Sequence, residues 1–260
     1  MDDVNLLGAR VDAVSVDDVL TTILDTIQSG QRALIAHVHV MAVNIAYEND
    51  WFRQFLKHAN LVYCDGMGVK LGARFLGRRI PQRLTLADWV WQLAEMAECQ
   101  NFSFYLLGNP PGVAEKAAAC LQKRFPKLVV KGAQHGYFEK TPGSPENQVV
   151  LQQINAAQPD ILMVGFGMPA QELWLMQNWD ELDVRVAITV GALFEYLAGD
   201  LPRGPSWMVE NYMEWLYRLI RSPRRYIKRY LRDNPLFLYR LLKHKFFSHK
   251  GRSSQRRSDQ

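Results

Sequence analysis

Asp65 is the residue best placed to do acid–base chemistry. It closes the apolar run Leu61-Val62-Tyr63-Cys64 and opens Asp65-Gly66-Met67-Gly68. A carboxylate at the end of a strand, beside glycines that let a ligand approach the backbone, suits a general base. The same position suits a cap for the helix that follows, and both readings stand at this point. His37 and His39 flank Val38, so both side chains share one face of a strand or its exit. A metal held between them needs a third ligand that the sequence does not display; a polar pocket wall is the simpler reading. Two glycine turns complete the set, Gly108-Asn109-Pro110-Pro111-Gly112 and Gly165-Phe166-Gly167-Met168-Pro169-Ala170-Gln171-Glu172. Such turns can offer backbone N–H groups to a phosphate, which makes Gly108, Asn109 and Gly167 candidates for holding an anionic substrate. Neither turn is G-x-G-x-x-G, and Walker A, G-x-S-x-G and H-E-x-x-H patterns are absent from the sequence. Asp-x-Asp, the usual metal-binding pair of one large class of sugar transferases, is also missing.

These residues need a scaffold that gathers strand ends. Short apolar runs at Ala33–Val38, Leu61–Cys64, Phe102–Leu107, Leu128–Lys131, Ile161–Phe166 and Val186–Val190 read as strands buried on both faces. Helical patterns alternate with them at Ser15–Ser29, Val43–His58, Gly68–Phe75, Leu86–Cys99, Gly112–Phe125, Pro145–Ala157 and Ala170–Asn178. This alternation predicts an α/β fold with a doubly wound, mostly parallel sheet and right-handed crossovers. In such a sheet ligands sit outside the carboxyl ends of the strands, where His37, His39, Asp65, Gly108, Asn109, Gly167 and Gly191 fall.

Charge divides the chain. Residues 201–260 carry 15 Lys+Arg against 4 Asp+Glu, and residues 1–200 carry 16 against 22. A mildly acidic body is thus followed by a basic tail in which Trp207, Tyr212, Trp215, Tyr226, Tyr230, Phe237, Phe246 and Phe247 interleave with cations. Basic, aromatic-rich amphipathic helices read as interfacial membrane segments; packing on the body or on a sister subunit is the alternative. The predicted units are a catalytic domain at 1–203, a helical appendage at 204–248 and a disordered tail at 249–260. At 260 residues, 48% hydrophobic and 22% charged, the composition excludes a wholly disordered chain. No uninterrupted apolar stretch is long enough to span a bilayer. Met1-Asp2-Asp3 lacks a signal-peptide start, and Cys64, Cys99 and Cys120 form no disulfide framework, so a reducing cytoplasm is expected.

The motifs occur in a specific order. After Asp65-Gly66-Met67-Gly68 come Gly77-Arg78-Arg79-Ile80-Pro81-Gln82-Arg83 and Asp88, then Leu106-Leu107-Gly108, His135-Gly136-Tyr137-Phe138 and the Gly165–Glu172 turn. Gly191-Ala192-Leu193-Phe194, Glu214–Leu219 and Pro223-Arg224-Arg225 follow. Over about residues 5–232 this series resembles the WecG/TagA/CpsF glycosyltransferase family. The resemblance implies a Rossmann-like, inverting, metal-independent transferase that needs no cofactor. Such an enzyme moves a sugar from a UDP-sugar to a polyprenyl-diphosphate-linked saccharide for a cell-surface polysaccharide. It also implies a peripheral position on the cytoplasmic face of the membrane, with self-association possible and no nucleic acid partner.

By that resemblance Asp65 is the base, Arg83 and Gln171 join it, and Glu172 completes the glutamine motif. Arg218, Arg225 and Arg229 of the appendage reach the substrate. The chain departs from the family's usual Thr-Pro-Asn at His37-Val38-His39, and Ala170 stands where lysine is usual. The donor therefore stays open between N-acetylmannosamine-type and glucose-type sugars. A nucleotide-binding oxidoreductase would share the body but lacks its fingerprint. A nucleic-acid-binding module would share the tail but leaves Asp65, Arg83 and Gln171 without a role.

Overall fold

A computed structural model describes residues 2–205, 208, 214–221, 223, 227 and 229–247. The chain opens with a hairpin, β1 (Asp3–Leu6) and β2 (Ala9–Asp12), followed by α1 (Val16–Gln28) and β3 (Ala33–Val38). Next come α2 (Val40–Glu48), α3 (Asp50–His58), β4 (Leu61–Cys64), α4 (Met67–Phe75) and α5 (Leu86–Gln100). Then follow β5 (Ser103–Gly108), α6 (Val113–Arg124), β6 (Val129–Gln134), α7 (Pro145–Ala157), β7 (Ile161–Gly165), α8 (Ala170–Asn178), β8 (Val186–Thr189) and α9 (Leu193–Leu197).

The six predicted strands form one sheet in the order β4-β3-β8-β7-β5-β6, and every pairing is parallel. Helices cover both faces, so β3, β4, β5, β7 and β8 are buried along their whole length. Alternate residues feed two cores. Phe104 and Leu106 pack with α1, α5, α6 and α9; Tyr105 and Leu107 pack on the side of α2, α3, α7 and α8. The fold is the expected Rossmann-like α/β architecture. The chain leaves β4 at one edge and resumes with β5 beyond β8 and β7, and a crevice at the carboxyl ends belongs to such a reversal.

Two local expectations are corrected. The hairpin was not foreseen; its turn places Leu7 at φ 55° and Gly8 at φ 96°, and Gly8 donates to Asn5 Oδ1 at 2.9 Å. Asp12 then accepts from the Val62 amide at 2.8 Å while Arg10 grips both Asp12 oxygens, each at 2.9 Å. The hairpin so fastens the outer edge of β4, the strand that carries Asp65. The helix expected over Val43–His58 is two helices, α2 and α3, broken where Asn49 turns extended at φ −125°, ψ 120°.

A terminal helix, Asn234–Phe247, follows a π-helical turn at Arg229–Asp233 and a helix at Glu214–Arg221. Phe237 and Leu241 bury themselves against α2 and α4, where Gly72 makes room: a Cβ there would lie 2.6 Å from the Phe237 ring. Buried Arg240 donates to Asn44 O at 3.1 Å and Oδ1 at 3.0 Å and pairs with Glu48. Among the described residues no helix is long and apolar enough to cross a membrane. The tail expected at 249–260 lies outside the described residues.

Candidate active site

Glycine lets the strand ends close in. Gly108 sits at φ 144°, and a Cβ on it would fall 2.4 Å from Gly165 O. A Cβ on Gly165 would fall 2.7 Å from Asn109 Nδ2, and that amide instead reaches Gly165 O at 3.1 Å and Gly191 O at 3.3 Å. One buried asparagine thus ties the ends of β5 and β7 to the turn after β8. Above this floor lies a cavity of about 1110 Å³. His37, His39, Tyr63, Asp65, Asn109, Tyr137, Lys140, Gly167, Gln171, Gly191 and Glu195 are among the residues that line it. The volume is at the upper end of the usual range for small-molecule sites.

Asp65 follows β4 directly, and its amide donates to Val38 O at 2.9 Å. The two readings of this residue now separate. The N-cap of α4 is Gly66 and has no side-chain cap, so Asp65 does not cap the helix, and its side chain belongs to the cavity wall. Burial first, and the Asp65 charge second, raise Tyr63 well above the ordinary phenol value. Burial likewise pushes the Cys64 thiol up to about 11, so that thiol stays protonated.

His37 is fixed from the neighbouring strand. Its Nδ1 lies 3.0 Å from both Thr189 O and Thr189 Oγ1. A carbonyl only accepts, so Nδ1 carries a proton in this contact. The His37 and His39 rings stand 5.9 Å apart. Among the described residues no three His, Cys, Asp or Glu side chains cluster so as to hold a metal ion.

Gln171 and Glu172 act as one unit. Gln171 Nε2 donates to Glu172 Oε1 at 2.7 Å, which turns Gln171 Oε1 toward the Gly191 amide at 3.1 Å. Gln171 lines the cavity, whereas Glu172 is buried behind it. Burial pushes Glu172 up to about 8, against hydrogen bonds that pull the other way, so the acid is mostly neutral at pH 7. The sequence could not show which member of the pair lines the cavity.

The remaining candidates are placed as follows. Gly167 lines the cavity, whereas Gly108 forms the floor beneath Asn109. Arg83 lies beside the cavity rather than in its wall; it donates to Asp88 at 3.2 Å, and Asp88 also pairs with Arg203 at 2.6 Å. Thr85, Leu86 and Ala87, just beyond Arg83, do line the cavity. Arg225 and the side chains of Arg218 and Arg229 lie outside the described residues.

Lys140, Tyr137 and Glu195 are lining residues that the sequence reading missed. Lys140 stands in the loop after β6, with its Nζ 4.4 Å from the Phe138 ring centre and 4.6 Å from that of Phe166. It donates to Gly136 O and, at 3.2 Å, to Phe138 O, and burial lowers its pKa below the usual lysine value. A loop lysine has no periodicity to betray it. Glu195 lies one residue past the Gly191–Phe194 motif and so escaped notice.

Such a fold gathers a carboxylate and polar strand ends around a large crevice, the place where open α/β sheets bind their ligands. Comparison with known proteins makes this specific. Residues 4–251 match the glycosyl transferase WecG/TagA/CpsF family, and the chain belongs to that family and is a glycosyltransferase. Among its relatives are proteins of Staphylococcus aureus strains MRSA252 and MW2, each named N-acetylglucosaminyldiphosphoundecaprenol N-acetyl-beta-D-mannosaminyltransferase. Each is 27% identical over 246 residues, covering 91% of this chain and 94% of the relative.

Proposed function

We propose that this glycosyltransferase moves a sugar from a UDP-sugar to a hydroxyl of a polyprenyl-diphosphate-linked saccharide, with inversion, without a metal, and with Asp65 as the base. The observation that carries the reading is the position of Asp65: it follows β4, leaves the helix cap to Gly66, and lines the same cavity as Gln171 and the two histidines. Asp65 takes the acceptor proton as the hydroxyl attacks the anomeric carbon from the face opposite UDP. One bond forms, one C–O bond to the diphosphate breaks, and UDP leaves. Fixed dipoles and cations then stabilise the departing charge. The names of the relatives favour N-acetylmannosamine as the sugar and an N-acetylglucosaminyl-diphosphoundecaprenol acceptor.

The acceptor's lipid would keep the enzyme at a membrane, and the terminal helix has a face suited to that. Leu238, Tyr239, Phe246 and Phe247 are exposed beside Lys243 and Lys245. An apolar face rimmed by cations binds an anionic surface, here the inner face of the cell membrane. The direct experiment is a donor screen. The purified protein, a polyprenyl-diphosphate-N-acetylglucosamine acceptor and a panel of UDP-sugars would be combined with and without EDTA, and UDP release and lipid product scored. The expected result is one productive donor and equal rates with EDTA. Rates abolished by EDTA would overturn the metal-free route; UDP-sugars that neither bind nor react would overturn the donor.

A further inference from the structure

The cavity is electrically lopsided. Two carboxylates, Asp65 and Glu195, line it, and among the described lining residues Lys140 is the one ammonium or guanidinium. What surrounds that ammonium is neutral. It meets two carbonyl oxygens, from Gly136 and Phe138, and the faces of Phe138 and Phe166. No carboxylate among the described residues pairs with it, and desolvation alone lowers its pKa. An ammonium drawn partly out of water and given only neutral partners has lost hydration that a carboxylate would have offset. Its two carbonyl contacts use two of three N–H groups and fix the head in place, so the third can meet a ligand without ordering a free lysine. The loop that carries it is itself anchored to the floor: the Gly136 amide donates to Asn109 O at 2.9 Å. Gly136 packs so closely that a Cβ there would lie 2.7 Å from Phe166.

The geometry points to Lys140 as the residue of the body that grips the diphosphate of a nucleoside diphosphate donor, at the end of the cavity built by the loops after β6 and β7. This deepens the function proposed above and rests on it. Two negative phosphates bind away from Asp65 by simple repulsion, and Lys140 and Gly167 bring a cation and a glycine turn to the same cavity. Tyr137, the residue after Gly136 in the same loop and 69% exposed, adds a flat aromatic surface to the cavity lining.

The test separates phosphate recognition from loop stability. Calorimetric titration with UDP and with uridine would be run on the full chain and on Lys140→Met, Lys140→Gln and Lys140→Arg. Methionine keeps the apolar stem, and arginine keeps the charge. A lost charge-assisted hydrogen bond should weaken UDP binding by about 10- to 100-fold in the first two variants. Uridine binding should change less than about twofold, and Lys140→Arg should recover most of the affinity. Unchanged UDP affinity, or equal losses for UDP and uridine, would overturn the assignment and leave Lys140 a structural staple. Thermal melts of all three variants guard against misfolding, and Lys140→Gln decides if Lys140→Met does not fold. A wild-type chain that binds neither UDP nor uridine would instead sink the UDP-sugar reading, and Lys140's role with it.

Discussion

The body and the terminal helix solve opposite problems. In the body, polar side chains at the site turn inward on one another: Asn109 ties three strand ends, Gln171 holds Gly191, and Thr189 pins His37. The terminal helix holds to the protein through Phe237, Arg240 and Leu241, with Lys245 donating to Phe75 O at 2.7 Å, and leaves Leu238, Tyr239, Leu242, Lys243, Phe246 and Phe247 exposed. The contrast teaches that shaping a cavity and docking a helix ask for different contacts. Dense internal hydrogen bonding builds a shaped cavity, whereas a few contacts on one side hold a helix whose other side stays exposed.

If that division holds, damage to one region should spare the other. The largest effect is expected at Asp65. Asp65→Asn should lower the turnover rate about 100-fold or more, the range for a lost general base, while vesicle binding stays unchanged. A near-normal rate would remove Asp65 from the base role. Next in size is the converse experiment, removal of residues 204–260. Each basic residue near an anionic bilayer contributes about 1 kcal/mol, so sedimentation with anionic vesicles should fall at least about tenfold. Persistent vesicle binding by the truncated chain would break the comparison outright.

A subtler cut is Arg240→Ala, which removes the bonds to Asn44 and Glu48 but leaves the outer face of the helix intact. The expected cost is about 2 kcal/mol of local stability, read as amide exchange about 30-fold faster across the helix with no change in the body. Exchange that does not quicken would show that Phe237, Leu241 and Lys245 hold the helix without Arg240.

A last test concerns the pH dependence set by Glu172. The folded protein keeps its proton up to about 8, whereas the unfolded chain releases it near 4.5. The folded state's advantage is complete below the unfolded value and drains away as pH rises through the folded one, at most about 1.4 kcal/mol per unit. Glu172→Gln cannot titrate, so between about pH 5 and pH 8 its melting temperature should fall less than that of the wild type. Parallel melting profiles would show that burial does not control this carboxyl.

Much of the body was legible because its strands are short apolar runs, a pattern that burial on both faces demands. The hairpin escaped because its strands alternate with Asp3, Asn5, Arg10 and Asp12, and its one clear signal is Asn5 bonded three residues on to Gly8. The break at Asn49 was hidden by apolar residues, Trp51, Phe52 and Phe55, that continue a helical spacing across it. At the site, Asp65, the histidines and Gln171 could be found at strand ends and turns. Their restraints could not: Thr189 meets His37 from 152 residues away. Lys140 was invisible for a related reason, since only the fold brings its loop over Phe166.

The close approach of β5 and β7 also bears on how this enzyme could be redesigned. At positions 108, 136 and 165 any side chain would meet neighbours at 2.4, 2.7 and 2.7 Å. The base of the crevice is therefore main chain, and substitution has no purchase there. A library meant to change which sugar is accepted should leave those three positions untouched and spend its diversity on His37, His39, Tyr137 and Ala170, which line the walls and tolerate side chains already.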